Sequence, residues 1–166
     1  AGHAADIDLA LKYAAWALFS ESGRRRHHEG LLFKTPAKVD ALHLLGVVAH
    51  QVGRNDAAID LIRQAIQWLP GFAEAHNSLG IVLKRLKRAD EAVRHYERAL
   101  RLDPSYVDAR GNLGIALRAL GRFDEAVAQL GEVVRLKPAS PDAQLNLGTA
   151  LKDAGHLDAA IAAFRE

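Results

Sequence analysis

Gly46, Gly80, Gly114 and Gly148 are spaced 34 residues apart, and each follows a leucine: Leu45, Leu79, Leu113 and Leu147. Twelve positions after each glycine comes an alanine (Ala58, Ala92, Ala126, Ala160), and ten positions before it a proline (Pro36, Pro70, Pro104, Pro138). Four columns in one register make residues 39–166 a tandem array, and a period in this range marks solenoids and related repeat folds. Within the unit 107–140, Ala109, Leu113, Ala116, Leu117 and Leu120 recur at steps of three and four, as one face of a helix requires. Gly121 ends that run. Phe123 re-enters the apolar pattern, and Ala126, Leu130 and Val133 form a second stripe that Pro138 stops. Each unit therefore predicts an antiparallel helix pair, A then B, and the chain an all-α solenoid. Glycine inside a helix costs about 1 kcal/mol relative to alanine. Four of them on helix A imply a packing purpose, the close approach of two backbones at the Gly and Ala columns.

The stretches AHNSLG (75–80), GNLGIALRALGRFDEAV (111–127) and LNLGTALKDAGHLDAAI (145–161) resemble the tetratricopeptide repeat family, over about residues 39–166. The resemblance is closest to bacterial members and to the repeat arm of O-linked N-acetylglucosamine transferases. It implies a right-handed superhelix whose concave face is lined mainly by helix A, with units 39–72, 73–106, 107–140 and a truncated 141–166. Two departures stand out. The fourth position lacks tryptophan (Leu42, His76, Arg110, Gln144), and Lys87 replaces the inter-helix glycine seen at Gly53, Gly121 and Gly155.

The ends are less regular. Residues 6–21 read as a helix with Ile7, Leu11, Ala14, Ala15 and Leu18 on one side, and 1–38 as an N-terminal helical cap or degenerate repeat. The chain starts at Ala1 without methionine and stops within a unit, so a fragment of a longer protein is expected. Leu147, Leu151, Ile161 and Phe164 would then stand bare, and full burial of each is worth about 1.5 to 3 kcal/mol. End-to-end self-association is the expected consequence.

Composition narrows the function. With no cysteine there is no disulfide, thiol nucleophile or cysteine metal site. No run approaches the roughly 18 apolar residues that span a bilayer, and no secretory leader is visible, so a cytoplasmic protein without membrane contact is expected. Six of the 22 Lys and Arg residues and four of the 20 Asp and Glu residues fall within 1–38, leaving 39–166 balanced. That balance argues against a nucleic-acid stripe, and the run Arg24, Arg25, Arg26, His27, His28 has no interleaved aromatic to stack a base. Lys84, Arg85, Lys87 and Arg88 stand at a predicted helix C-terminus, where the dipole favours cations. No nucleophile arrangement, phosphate loop or HExxH helix appears. The expectation is a chain without catalysis, cofactor or metal. His43 and His50, seven apart on one helix face, lack a third ligand beside them and read as groove residues.

The groove candidates come from columns on helix A. The second position carries Asp40, Glu74, Asp108 and Asp142, and the twelfth His50, Lys84, Arg118 and Lys152. Ten helical residues separate the two columns, about 15 Å, so an acidic and a basic edge are expected along the groove. Between them lie the fifth position (His43, Asn77, Gly111, Leu145) and the sixth (Leu44, Ser78, Asn112, Asn146). An asparagine amide both donates and accepts, and so can pair with a peptide backbone of any sequence. Asn112 and Asn146 match the asparagine column that the transferase resemblance assigns to extended peptide substrates.

The resulting expectation is a protein-interaction scaffold holding an extended or helical peptide in its concave groove. The alternative from another class is the substrate-recognition arm of a larger glycosyltransferase. RNA binding is the weaker reading, because the fifth position does not repeat a base-reading side chain. The family's clamp for the C-terminal carboxylate of heat-shock chaperones needs cations at the fifth, second and sixth positions. Here the second column is acidic and the sixth has no cation, so that ligand is not expected.

Overall fold

In a computed structural model, which describes residues 35–165, the chain forms eight helices and no strand among those residues. They are α1 (Thr35–Gln51), α2 (Asn55–Trp68), α3 (Ala73–Arg85), α4 (Ala89–Leu102), α5 (Val107–Ala119), α6 (Phe123–Leu136), α7 (Pro141–Asp153) and α8 (Leu157–Ala163). Odd-numbered helices are the A helices of the repeats and even-numbered ones the B helices. The fold is an all-α helical repeat of the solenoid class. The helix read over 6–21, the Arg24 to His28 cluster and all of the 1–38 cap before Thr35 lie outside the described residues.

The described residues divide into two compact units, one ending at Val82 and one beginning at Leu83, with the division inside α3. In the first, α1 packs on α2, and Val39, Leu42 and Ala65 form a core against which Leu61 and Phe72 rest. Helix α1 includes Pro36, whereas α3, α5 and α7 begin after Pro70, Pro104 and Pro138. Ala37-Lys38 is helical where Gly71-Phe72 and Ser105-Tyr106 are not. In the second unit each helix from α4 to α8 packs on its successor, and α5 also touches α7, so helix A stacks on helix A.

The structure shows which side chains face the glycine column. A Cβ on Gly114 would lie 2.6 Å from Leu130 Cγ, one on Gly148 2.5 Å from the Phe164 ring, and one on Gly46 would run into the Ile62 side chain. The space that each glycine leaves is taken mainly by a large side chain sixteen residues on. At Gly46 the helix-B alanine is close as well, with the Ala58 carbonyl oxygen 3.2 Å from such a Cβ. Ala58, Ala92 and Ala126 are fully buried in their own right.

Turn geometry explains a second column. Gly53, Gly121 and Gly155 have φ of 82°, 75° and 84°, and Lys87 takes the same left-handed conformation at φ 60°. A side chain in that region costs about 1 to 2 kcal/mol, so Lys87 carries local strain that the three glycines avoid. At the fourth position, polar residues replace tryptophan with a bond to the proline turn. His76 Nε2 lies 3.4 Å from the Pro70 carbonyl oxygen, and Arg110 Nη2 donates to that of Pro104 at 2.8 Å. The B helices begin on Arg54, Arg88, Arg122 and His156, a basic start opposed by Asp56, Asp90, Asp124 and Asp158 in their first turns.

Candidate functional site

In the second unit, α5 and α7 border a cleft of about 320 Å³. Four of the residues singled out from the sequence share it: Asp108, Asn112, Asp142 and Asn146. The second and sixth helix-A positions of two consecutive repeats thus come together. Asp108 and Asp142 are exposed at the rim, whereas Asn112 and Asn146 are half-buried. The apolar part of the lining comes from Val107, Ile115, Leu130 and Val133. Column reading missed Lys137, whose Nζ donates to Asp108 Oδ1 at 3.0 Å across the cleft. It follows helix B at a position held elsewhere by Leu69 and Asp103, so no repeating signal marks it.

Of the basic column, Arg118 and Lys152 stand in the last turns of α5 and α7, do not line this cleft, and are partly offset. Arg118 Nε stands 3.7 Å from Asp153 Oδ2, and Lys152 Nζ 3.9 Å from Asp153 Oδ1. An exposed pair of this kind adds little stability, but it reduces the charge that the edge presents. Lys84, in the last turn of α3, is half-buried, and desolvation lowers its pKa.

In the first unit the candidates form a different arrangement. His43 Nε2 lies 2.8 Å from Ser78 Oγ, and the ring meets Phe72 edge to face at 4.9 Å. Burial pushes the His43 pKa below 6.5, against the opposing pull of the Glu74 and Asp40 carboxylates. His50 Nδ1 lies 2.8 Å from Asn55 Oδ1, which holds that ring at the end of α1. Asn77 is buried at 6% exposure, which places it in the packing rather than on an open surface. Among the described residues no group of three or more His, Cys, Asp or Glu could hold a metal.

The His43 environment sets a pH dependence. Its lowered pKa means that the unfolded chain binds the proton more readily than the folded one. The stability contributed by neutral His43 is complete above pH 6.5 and is lost as pH falls through the folded value. Urea midpoints at pH 7.5 and pH 5.0 are expected to drop further for the parent than for His43→Gln, which keeps a partner for Ser78. Equal drops would dismiss His43 as the titrating group.

The end of the described chain carries the apolar surface expected there, with a changed membership. Ile161 and Phe164 are each 49% exposed, and Leu145 and Leu157 join them. Leu147 and Leu151 are half-buried instead, since α7 packs on both α6 and α8. No described helix is long and apolar enough to cross a membrane.

A family model described as tetratricopeptide repeat matches residues 53–107, 77–141 and 112–166, and a second with the same description matches 39–64. No curated protein matches the chain in sequence. Among solved structures, a crystal structure of MamA is 26% identical with a TM-score of 0.72, covering 76% of this chain and 74% of that one. MamA 41-end from Desulfovibrio magneticus RS-1 is 22% identical at a TM-score of 0.73, covering 78% and 73%. The first TPR of Spaghetti (RPAP3), bound to the HSP90 peptide SRMEEVD, is 24% identical at a TM-score of 0.71, covering 76% and 99%. The last two likenesses show the fold alone.

Proposed function

Because the chain belongs to the tetratricopeptide repeat family, we propose that it is a non-catalytic protein-interaction module that binds an extended or helical peptide segment along the surface of its A helices. The observation that carries this reading is the cleft bordered by α5 and α7. Asn112 and Asn146, from equivalent positions of two repeats, line it together. Amides at a repeat spacing can serve successive backbone groups of one peptide whatever its side chains. The apolar lining would bury ligand surface, and the polar rim would fix its orientation. That the same amides serve as the substrate-recognition arm of a larger glycosyltransferase is the second reading, and it predicts the same peptide contacts. The HSP90 peptide bound by the Spaghetti repeat is not proposed as a ligand of this chain.

A peptide-array screen on the parent and on Asn112→Ala with Asn146→Ala tests the reading. Each lost neutral hydrogen bond is expected to cost about 0.5 to 1.5 kcal/mol, with the salt dependence of binding unchanged. Thermal melts establish that the double variant is folded. An unchanged binding profile in the folded double variant would move the working surface away from the cleft.

A further inference from the structure

Gly111 lies in the interior of α5, yet packing does not require a glycine there. A Cβ built on it would meet only Val133 Cγ2, at 4.0 Å, an ordinary van der Waals contact. The same repeat position carries a side chain in every other repeat: His43, Asn77 and Leu145. Its side chain is missing where the cleft bordered by α5 and α7 opens, so Gly111 enlarges that cleft rather than tightening the fold. Around it lie Val107, Ile115 and Val133, an apolar surface suited to an aliphatic chain.

The rim has a definite charge. Asp108 and Asp142 contribute two carboxylates and Lys137 one ammonium, and Lys137 is engaged with Asp108 at 3.0 Å. Asp142 has no ion pair among the described residues. A ligand side chain entering over Gly111 therefore meets methylene-compatible walls first and a surplus carboxylate at the edge. An acidic side chain would approach two carboxylates. A purely apolar one would desolvate Asp142 without replacing its water. A long aliphatic stem ending in a cation satisfies both regions, since its methylenes pack while its head reaches a carboxylate.

We propose that the Gly111 cleft is an anchor pocket for one lysine or arginine side chain of the bound peptide, with the stem over Gly111 and the charge paired with Asp142. The proposal rests on the peptide-binding reading and narrows it to peptides carrying a basic residue at one fixed place.

The test is selection from a random peptide phage library on the parent protein, followed by titration of the best selected peptide, made synthetically, against Gly111→Leu and Asp142→Asn. Circular dichroism melts establish folding. Asp142→Asn, a surface change, keeps the test open if Gly111→Leu disturbs the helix. Selected sequences are expected to share a Lys or Arg at one position. Affinity should fall roughly tenfold or more on either variant. Replacing that basic residue by methionine should weaken binding to the parent, with little further loss on Asp142→Asn. Peptides that bind the parent without a shared basic residue, or with affinities that neither variant changes, overturn the anchor and leave peptide binding standing. Failure of the parent to enrich any peptide overturns the peptide-binding reading itself, and the anchor with it.

Discussion

Gly114→Ala is expected to lower stability by about 1 to 3 kcal/mol, while Gly111→Ala, three residues earlier in the same helix, raises it by about 0.5 to 1 kcal/mol. The two glycines differ in what a methyl group would meet. At Gly114 it would press on Leu130 at the branching carbon, 2.6 Å away, with both methyls at 3.0 and 3.3 Å. Leu130 is 1% exposed, and because the contact is with its branching carbon rather than a chain end, the whole side chain must shift to clear it. At Gly111 the nearest atom is at 4.0 Å, and the helix gains the propensity difference without a clash. Gly148→Ala should fall between them. Its obstacle is the Phe164 ring, and that ring is 49% exposed and can rotate into solvent. Urea denaturation of the three variants tests the order, with melting shifts of about 2 to 4 °C per kcal/mol for a chain of this size. A Gly114→Ala protein as stable as the parent would mean that the seam yields, and the glycine column would need another explanation.

What could be read from the residues alone follows from what repeats. The helix pairs were legible because four copies of one pattern fix the phase of every apolar position. The left-handed turns were legible because only glycine fits them cheaply, with Lys87 the exception at φ 60°. The partner of the glycine column was not, because a column of small residues shows a vacancy without showing what fills it. The filling side chains are Ile62, Leu130 and Phe164, alike in size and different in identity. The second- and sixth-position columns did bring Asp108, Asp142, Asn112 and Asn146 to one cleft. Lys137 and Asp153 escaped notice for a shared reason. Asp153 sits at a repeat position held elsewhere by Gln51, Arg85 and Ala119, so its pairing with Arg118 belongs to one repeat junction and has no periodic trace.

No saturable binding of the peptide SRMEEVD is expected up to millimolar concentration, although a repeat of the same fold carries that peptide in its bound form. Shared architecture transmits the groove and leaves its chemistry to individual side chains. The peptide brings one arginine against two glutamates, an aspartate and a terminal carboxylate, so even with that arginine at Asp142 a site for it must supply cations. On the A helices of this chain the second position is Asp40, Glu74, Asp108 and Asp142, and the sixth is Leu44, Ser78, Asn112 and Asn146. At the fifth position only His43 could be cationic, and its burial favours the neutral ring. Lys137 is the cation of the α5 and α7 cleft, and Asp108 already holds it. Each close approach of like charges costs on the order of 1 kcal/mol at 4 Å even in bulk water, and more where water is displaced. Several such approaches outweigh backbone hydrogen bonds worth about 0.5 to 1.5 kcal/mol apiece. Isothermal titration at low ionic strength is the stringent measurement, because screening is weakest there and any cationic site would be most visible. A dissociation constant in the micromolar range, weakening with added salt, would show that cations line the groove where the A-helix columns place carboxylates and amides.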